Sequence, residues 1–303
     1  MSIKNWLRFL AMGLVWGSTF FWVKIGLQEV GPFSVVFFRI LIATVALIAF
    51  YIFSRRKFPW KFWRLYLFLG FFNIAFSLIL VSWSEKFISS GMASILNSTQ
   101  PLVTALLAAV LMKDEPLTLQ RIIGIFIGFG GVLVLMSNRI HEGTSNQILG
   151  IAAMMVAVFC YGISSIYART HNEGVRPEDQ SLGQMIFSLI FIIPSMLIME
   201  PSFTIPIKPI SWVAFTFLGL LGSFFASITW YSLLGEIGPS RVSMITYMFP
   251  LVGVALGAIA LNETVDWRLL VGGLLVLGGI IVVNSKIKSS PQLATVKNEH
   301  LEG

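Results

Sequence analysis

Residues 90–121, SGMASILNSTQPLVTALLAAVLMKDEPLTLQR, decide how this chain is read. The run from Met92 to Met112 is apolar except where Asn97, Ser98, Thr99, Gln100 and Pro101 interrupt it, and Lys113, Asp114 and Glu115 close it. The same design returns 149 residues later: Ser243, Thr246 and Tyr247 precede Pro250 in a second apolar run, which closes with Asn262 and Glu263. A proline inside a helix frees the carbonyl four residues before it. In hydrocarbon that carbonyl must find a partner, and the residues four before these prolines, Asn97 and Thr246, are polar. Two broken, polar helices in matching places of two halves point to the binding site of a transporter.

Composition sets the medium. The 303 residues are 56% hydrophobic and 12% charged, with a mean hydropathy of +0.84, outside the range of a soluble domain. One cysteine, Cys160, excludes an internal disulfide framework, and no Cys/His cluster offers a metal site or a cofactor site. His141, His171 and His300 fall in polar segments. The net charge of +7 is not gathered on a soluble domain, so nucleic acid is excluded as a partner and membrane topology explains the bases.

Crossing about 30 Å of hydrocarbon takes roughly 20 helical residues. Apolar runs of that kind are found near 7–27, 33–53, 63–83, 92–112, 120–137, 149–169, 181–199, 211–233, 240–261 and 267–285. The first starts after Lys4 and Arg8 like a signal peptide, but it lacks a small-x-small cleavage site and carries Trp16 and Lys24, so it reads as a retained span. With the N-terminus inside, fifteen of the 21 Lys and Arg residues face the cytoplasm. Four face out: Lys86, Arg139, Lys208 and Arg268. That bias needs an even number of spans and both termini cytoplasmic. The polar residues 286–303 read as a cytoplasmic tail.

A repeat runs through the chain. Trp16, Gly17, Trp22 and Lys24 match Tyr161, Gly162, Tyr167 and Arg169 at a shift of 145, and Glu115, Gly130 and Gly131 match Glu263, Gly278 and Gly279 at 148. Each half, 5–137 and 149–285, then has five spans. Five is odd, so the halves have opposite orientation. The expected fold is an all-α integral membrane protein of ten transmembrane helices, built as two inverted five-helix repeats.

These features resemble the EamA-type transporters of the drug/metabolite transporter superfamily. The resemblance rests on the Trp16-Gly17-Ser18 start with Lys24, the Pro101 helix ending in Glu115, the Gly-rich stretch from Gly124 to Gly131, and the echoes at Pro250, Glu263 and Gly279. It implies ten helices around a central cavity and, for many relatives, export of amino acids or other small metabolites across the plasma (inner) membrane.

The candidate cavity residues follow from helical spacing. Trp16, Thr19, Phe20 and Val23 share a face of the first span, and Tyr161, Ser164 and Ser165 share one on the sixth. With Tyr247 they suggest an aromatic cavity for flat or apolar side chains or a cation, although helix packing explains them equally well. Asn73 and Ser77 on the third span and Ser223, Ser227 and Trp230 on the eighth make similar stripes. Lone serines are more often glue between helices, whereas Asn73, Asn97 and Gln100 cost more to leave unpaired. Thr246 joins the set through the second break. Lys24 and Arg39 lie about 5 and 9 Å inside the outer boundary, close enough for both side chains to reach the headgroups, or for one to attract a carboxylate or phosphate at the outer mouth.

No Asp or Glu occupies the middle of a span; Glu85 and Glu236 are near ends. Either a facilitator or exchanger is therefore expected, or coupling through less obvious groups, with no strict need for a proton gradient. The pairs Gly13/Gly17, Gly124/Gly128 and Gly253/Gly257 predict close helix contacts. Organic cations, nucleosides and sugar phosphates are alternative solutes. A membrane enzyme would need a converging nucleophile and base, which the sequence does not offer, and a scaffold leaves the paired breaks unexplained. The expected partners are the lipid bilayer and a small-molecule substrate.

Overall fold

In hydrocarbon a backbone can satisfy its own polar groups as a helix. The computed structural model of the chain consists of helices joined by turns, with no strand among its described residues, 3–111, 118–142, 145–171, 174–237 and 242–284. Residues 112–117 with Lys113, Asp114 and Glu115, the segment 238–241, and the tail 286–303 lie outside them, as do the side chains of Lys4, Arg139, His141 and Ser243.

In chain order the helices are α1 (Ile3–Gly26), α2 (Pro32–Phe53), α3 (Trp63–Leu69), α4 (Phe76–Ser84), α5 (Ser90–Asn97), α6 (Gln100–Leu111) and α7 (Leu119–Glu142). Then come α8 (Ser145–His171), α9 (Pro177–Met199), α10 (Pro209–Thr216), α11 (Ala226–Ile237), α12 (Met248–Ala260) and α13 (Trp267–Asn284). Pro32, Pro177 and Pro209 open their helices, where a missing N–H costs nothing. A π-helical segment, Gly70–Ala75, joins α3 to α4, and another, Phe217–Phe225, joins α10 to α11. Six continuous helical stretches of 22 to 27 residues are long and apolar enough to cross a membrane, and 119–135, 245–260 and 267–283 are shorter apolar helices. Outward faces carry Val45, Ile52, Val110, Phe126, Ile198, Leu251, Ile259 and Leu274 exposed, while Ser77, Ser94, Thr99, Gln180 and Ser188 are buried. That inversion of the soluble pattern fits a lipid-facing exterior.

Contacts between the halves come in mirrored pairs. α1 packs on α12 as α8 packs on α6; α4 packs on α8 as α11 packs on α1; α2 meets its mate α9, and α7 meets its mate α13. Aromatic contacts repeat the relation: Trp22 stacks on Phe217 at 5.1 Å, and its repeat mate Tyr167 stacks on Phe68, the mate of Phe217, at 3.9 Å. Glycines set the closest approach. A Cβ on Gly124 would lie 2.7 Å from the Gly279 carbonyl, and one on Gly131 2.6 Å from that of Gly272, so α7 and α13 touch backbone to backbone. Gly17 meets Val252 and Gly253 meets Ser94, which brings α1, α12 and α5 together.

The two breaks differ from a proline-kinked helix. Pro101 and Pro250 sit in the first turns of α6 and α12, where their missing N–H groups break no ladder. The first interruption is the turn Ser98–Thr99, closed by Thr99 N to Leu96 O (3.1 Å) and Leu102 N to Thr99 O (2.9 Å). The second is the 3-10 turn Ser243–Tyr247. Carbonyls near the first break are met by hydroxyls rather than by Asn97: Ser98 Oγ donates to Ile95 O (2.6 Å) and Thr99 Oγ1 to Leu96 O (2.7 Å).

Candidate functional site

The π segments are where helix backbone and foreign side chains meet, because a wide turn leaves carbonyls off the regular ladder. In the second repeat the Gly222 carbonyl accepts from Trp16 Nε1 (3.0 Å) and from Arg39 Nη2 (3.3 Å), while Arg39 Nε donates to Ser223 Oγ (2.8 Å). In the first repeat Asn73 Nδ2 donates to Gln184 Oε1 (3.0 Å), and Ser77 Oγ donates to the Phe72 carbonyl (2.5 Å). Both irregular turns are thus bridged to the opposite repeat by polar side chains.

Around the Gly222 carbonyl lies an aromatic floor. Trp16 packs on Trp230 at 5.3 Å and edge-on to Phe249 at 6.3 Å, and Phe20 meets Phe249 at 6.3 Å. Trp230, which the sequence places near a span end, therefore belongs to this group. Tyr161 on α8 is half-buried, within electrostatic reach of Arg39. Ser164 Oγ and Asn97 Oδ1 are buried without a hydrogen-bond partner. Such atoms are costly unless a ligand or water meets them.

Several candidates are tied up in their own helices: Thr19 Oγ1 on Trp16 O (2.6 Å), Ser165 Oγ on Tyr161 O (2.8 Å) and Ser227 Oγ on Phe224 O (3.2 Å). Tyr247 OH donates to Ile280 O (3.3 Å), Thr246 is buried, and Gln100 opens α6 beside Pro101. The serine glue reading fits Ser165 and Ser227. Both predicted outer-mouth cations make contacts within the protein. Arg39 is buried in the bonds above, and the Lys24 ammonium donates to the Glu85 backbone carbonyl.

Sequence reasoning missed a second polar cluster, on α9. Gln180, Gln184 and Ser188, at spacings of four, are all buried. Gln184 also receives Tyr231 OH at 3.5 Å, and the Gln180 amide and the Tyr66 hydroxyl are buried without partners. Asp179 accepts from Tyr51 and, at 2.8 Å, from both ends of the Arg176 fork. Its signal was the stripe itself, three amide or hydroxyl residues on one face of an apolar run.

Polar ties join the repeats at both ends. At one end three carboxylates each receive amides at a helix start in the other repeat, where the helix dipole favours an anion. Glu29 accepts from Ile207 N (2.7 Å) and Lys208 N (2.9 Å); Glu200 from Phe33 N and Ser34 N (both 3.0 Å); Glu263 from Ser90 N (2.9 Å), Ser90 Oγ (2.8 Å) and Gly91 N (3.3 Å). Asn262, with φ 54°, takes the left-handed turn after α12 that precedes Glu263. The other end has Arg8 on Glu236 at 2.9 Å and Arg56 on Glu178. Glu85, just beyond the apolar stretch Trp60–Ser84, is fully buried. Burial pushes its carboxyl well above the usual carboxylate range; Lys24 pulls it down, Glu263 adds to the push and Arg39 to the pull.

This helical bundle of two mirrored repeats, with polar bridges inside and an apolar exterior, is the architecture of a membrane transporter. The chain belongs to the EamA-like transporter family, whose pattern matches residues 6–137 and again 148–285. It is 27% identical, over 94% of its length and 99% of the relative's, to an uncharacterized transporter of Archaeoglobus fulgidus. It is 28% identical, over 93% and 95%, to an Escherichia coli protein named "probable amino-acid metabolite efflux pump". A solved crystal structure at 20% identity superposes with a TM-score of 0.66 over 93% of this chain and 96% of that one, a likeness of fold.

Proposed function

We propose that the chain is a secondary carrier of ten membrane-spanning helices in two inverted repeats, seated in the plasma (inner) membrane with both termini cytoplasmic. It exports small organic metabolites, foremost amino acids with apolar or aromatic side chains, as a facilitator or exchanger working by alternating access. The observation that carries this reading is the bridging of both π segments to the opposite repeat, Trp16 and Arg39 on Gly222 and Asn73 on Gln184. Helices with displaced hydrogen bonds rearrange at lower cost than regular ones. A solute that takes over these bridges loosens one repeat from the other and so changes which end is open.

The aromatic group of Trp16, Trp230 and Phe249 supports a flat or apolar side chain in the solute, and the unpartnered Asn97 Oδ1 and Ser164 Oγ support polar recognition beside it. The name of the E. coli relative supports amino acids as the class. The distribution of Lys and Arg supports the orientation. Counterflow in proteoliposomes tests the reading: vesicles loaded with one unlabelled amino acid should transiently accumulate its labelled form with no ion gradient. Accumulation of an organic cation, nucleoside or sugar phosphate instead would move the substrate class, and flux that neither saturates nor counterflows would reject a carrier.

A further inference from the structure

Glu85 is the one residue among those described whose carboxylate oxygens are both buried without a hydrogen-bond partner. The charged groups that face it come from α1, α2 and the turn after α12: Lys24, Arg39 and Glu263. Each is engaged elsewhere. Lys24 holds the backbone carbonyl of Glu85, Arg39 holds Ser223 and Gly222, and Glu263 holds the amides of Ser90 and Gly91. A carboxyl in this position is held as the neutral acid, since the anion would be dry and unbonded. Yet two cations stand close by, and Lys24 needs only to move from the carbonyl to the carboxylate of the same residue to pair with the anion. The Glu263 clamp closes the next helix start, so opening this end both wets Glu85 and frees its surroundings.

We propose that Glu85 is a proton-binding site that couples the carrier to a pH gradient, one proton moving opposite to one solute. The inference rests on the carrier reading above. Empty, the carrier recloses with Glu85 protonated on one Oε, the proton having come from the water on the open side. On the other side that O–H bond breaks, the proton leaves to water, and the carboxylate anion stays behind with Lys24 as counter-ion while the loaded carrier returns. No electron moves and no other reactant is needed. Exchange of solute for solute uses only the loaded form, so it proceeds without a gradient. Net transport of a zwitterion carries one positive charge per cycle in the proton's direction.

The test uses the full chain in proteoliposomes with labelled phenylalanine as the probe and the membrane potential clamped. The wild type should show counterflow without a gradient. It should also accumulate phenylalanine up to about tenfold under one pH unit, on the acidic side that supplies the protons, and lose that accumulation with a protonophore. E85Q, which mimics the neutral acid and so the form that crosses empty, should fold but lose counterflow together with the pH-driven accumulation, and phenylalanine should release no proton from it. Should E85Q fail to fold, K24Q serves: in a weakly buffered detergent solution with a pH dye, phenylalanine should release up to one proton per wild-type chain, with the midpoint moved to higher pH in K24Q. Gradient-driven accumulation that persists in E85Q overturns the proposal. So does a wild type that counterflows phenylalanine but ignores the pH gradient and releases no proton, which leaves the carrier reading intact. Absence of wild-type counterflow overturns both.

Discussion

Removing the Glu263 carboxylate should open one end of the protein to water. Its two shorter contacts, 2.9 Å to Ser90 N and 2.8 Å to Ser90 Oγ, join the turn after α12 to the start of α5 in the other repeat, and the third, 3.3 Å to Gly91 N, adds little. Charge-assisted bonds of this kind contribute roughly 1.5–3 kcal/mol each when well made. Glu263 is only half-buried, so about 2 kcal/mol for the clamp is a reasonable net figure. If the clamp holds this end closed, E263A raises the population of the open form by about thirtyfold. Ser94, one turn into α5 and fully buried against Gly253, is the reporter. With Cys160 replaced by serine, S94C is the only thiol, and its reaction with a polar maleimide in detergent measures how often the end opens. The account predicts labelling about thirty times faster in E263A and an intermediate rate in E263Q, which retains one acceptor oxygen. Equal rates in all three, with the fold intact by circular dichroism, would show that the clamp does not govern opening.

The other predictions concern single contacts. W16F, which keeps a ring against Trp230 but loses the bond to Gly222, should raise the KM of phenylalanine counterflow a few-fold, and W16A should raise it more than tenfold. N73L leaves Gln184 Oε1 with only the long 3.5 Å contact from Tyr231 OH, a loss of roughly 1 kcal/mol, and should lower the midpoint of thermal unfolding in detergent; N73L/Q184L should recover part of it. G279V sets a side chain 2.5 Å from the Gly124 carbonyl and should abolish folded expression, while G278A, with nothing within 4 Å of its Cβ, should be neutral by size-exclusion chromatography. Ser232, and then Arg8, hold Glu236 below its usual carboxylate value of 4.5. The tie is therefore fully present above that value and is lost as pH falls through the lowered one. The acid limb of the stability profile should be shallower in E236Q.

How much of this was legible in the sequence depended on whether the signal was local. The breaks at residues 97–101 and 243–250, the close packing at Gly124/Gly128 and the repeat itself were readable because each is a short local pattern, whereas the partner of that packing, α13, came only from the fold. The prolines located the breaks, but the carbonyls that hydroxyls meet there are those of Ile95 and Leu96, bonded by Ser98 and Thr99, and not the carbonyl four residues before Pro101. Lys24 and Arg39 looked like residues that reach the headgroups. Both donate to acceptors within the protein, Glu85 O and Ser223 Oγ, 61 and 184 positions away, which no local pattern shows. The sequence places Glu85 only near a span end, and it is the fold that brings Lys24 of α1, Arg39 of α2 and Glu263 of the turn after α12 to it. The π segments carry no composition signal, although Gly70 with Asn73 and Gly222 with Ser223 mark where they lie. Gln180, Gln184 and Ser188 form a stripe in the sequence, but only the fold shows that all three are buried.

Alternating access is the central claim, and a reversible lock tests it most directly. In the cysteine-free background, S34C/E200C puts thiols at one of the ties between repeats, where Glu200 Oε2 and Ser34 Oγ lie 2.5 Å apart. A short bifunctional thiol reagent cleavable by reduction then joins them. Counterflow of phenylalanine should stop in the cross-linked protein and return on reduction, because each cycle must separate the repeats at this end. Undiminished counterflow through fully cross-linked protein would contradict the account, for the solute would then be crossing without that movement.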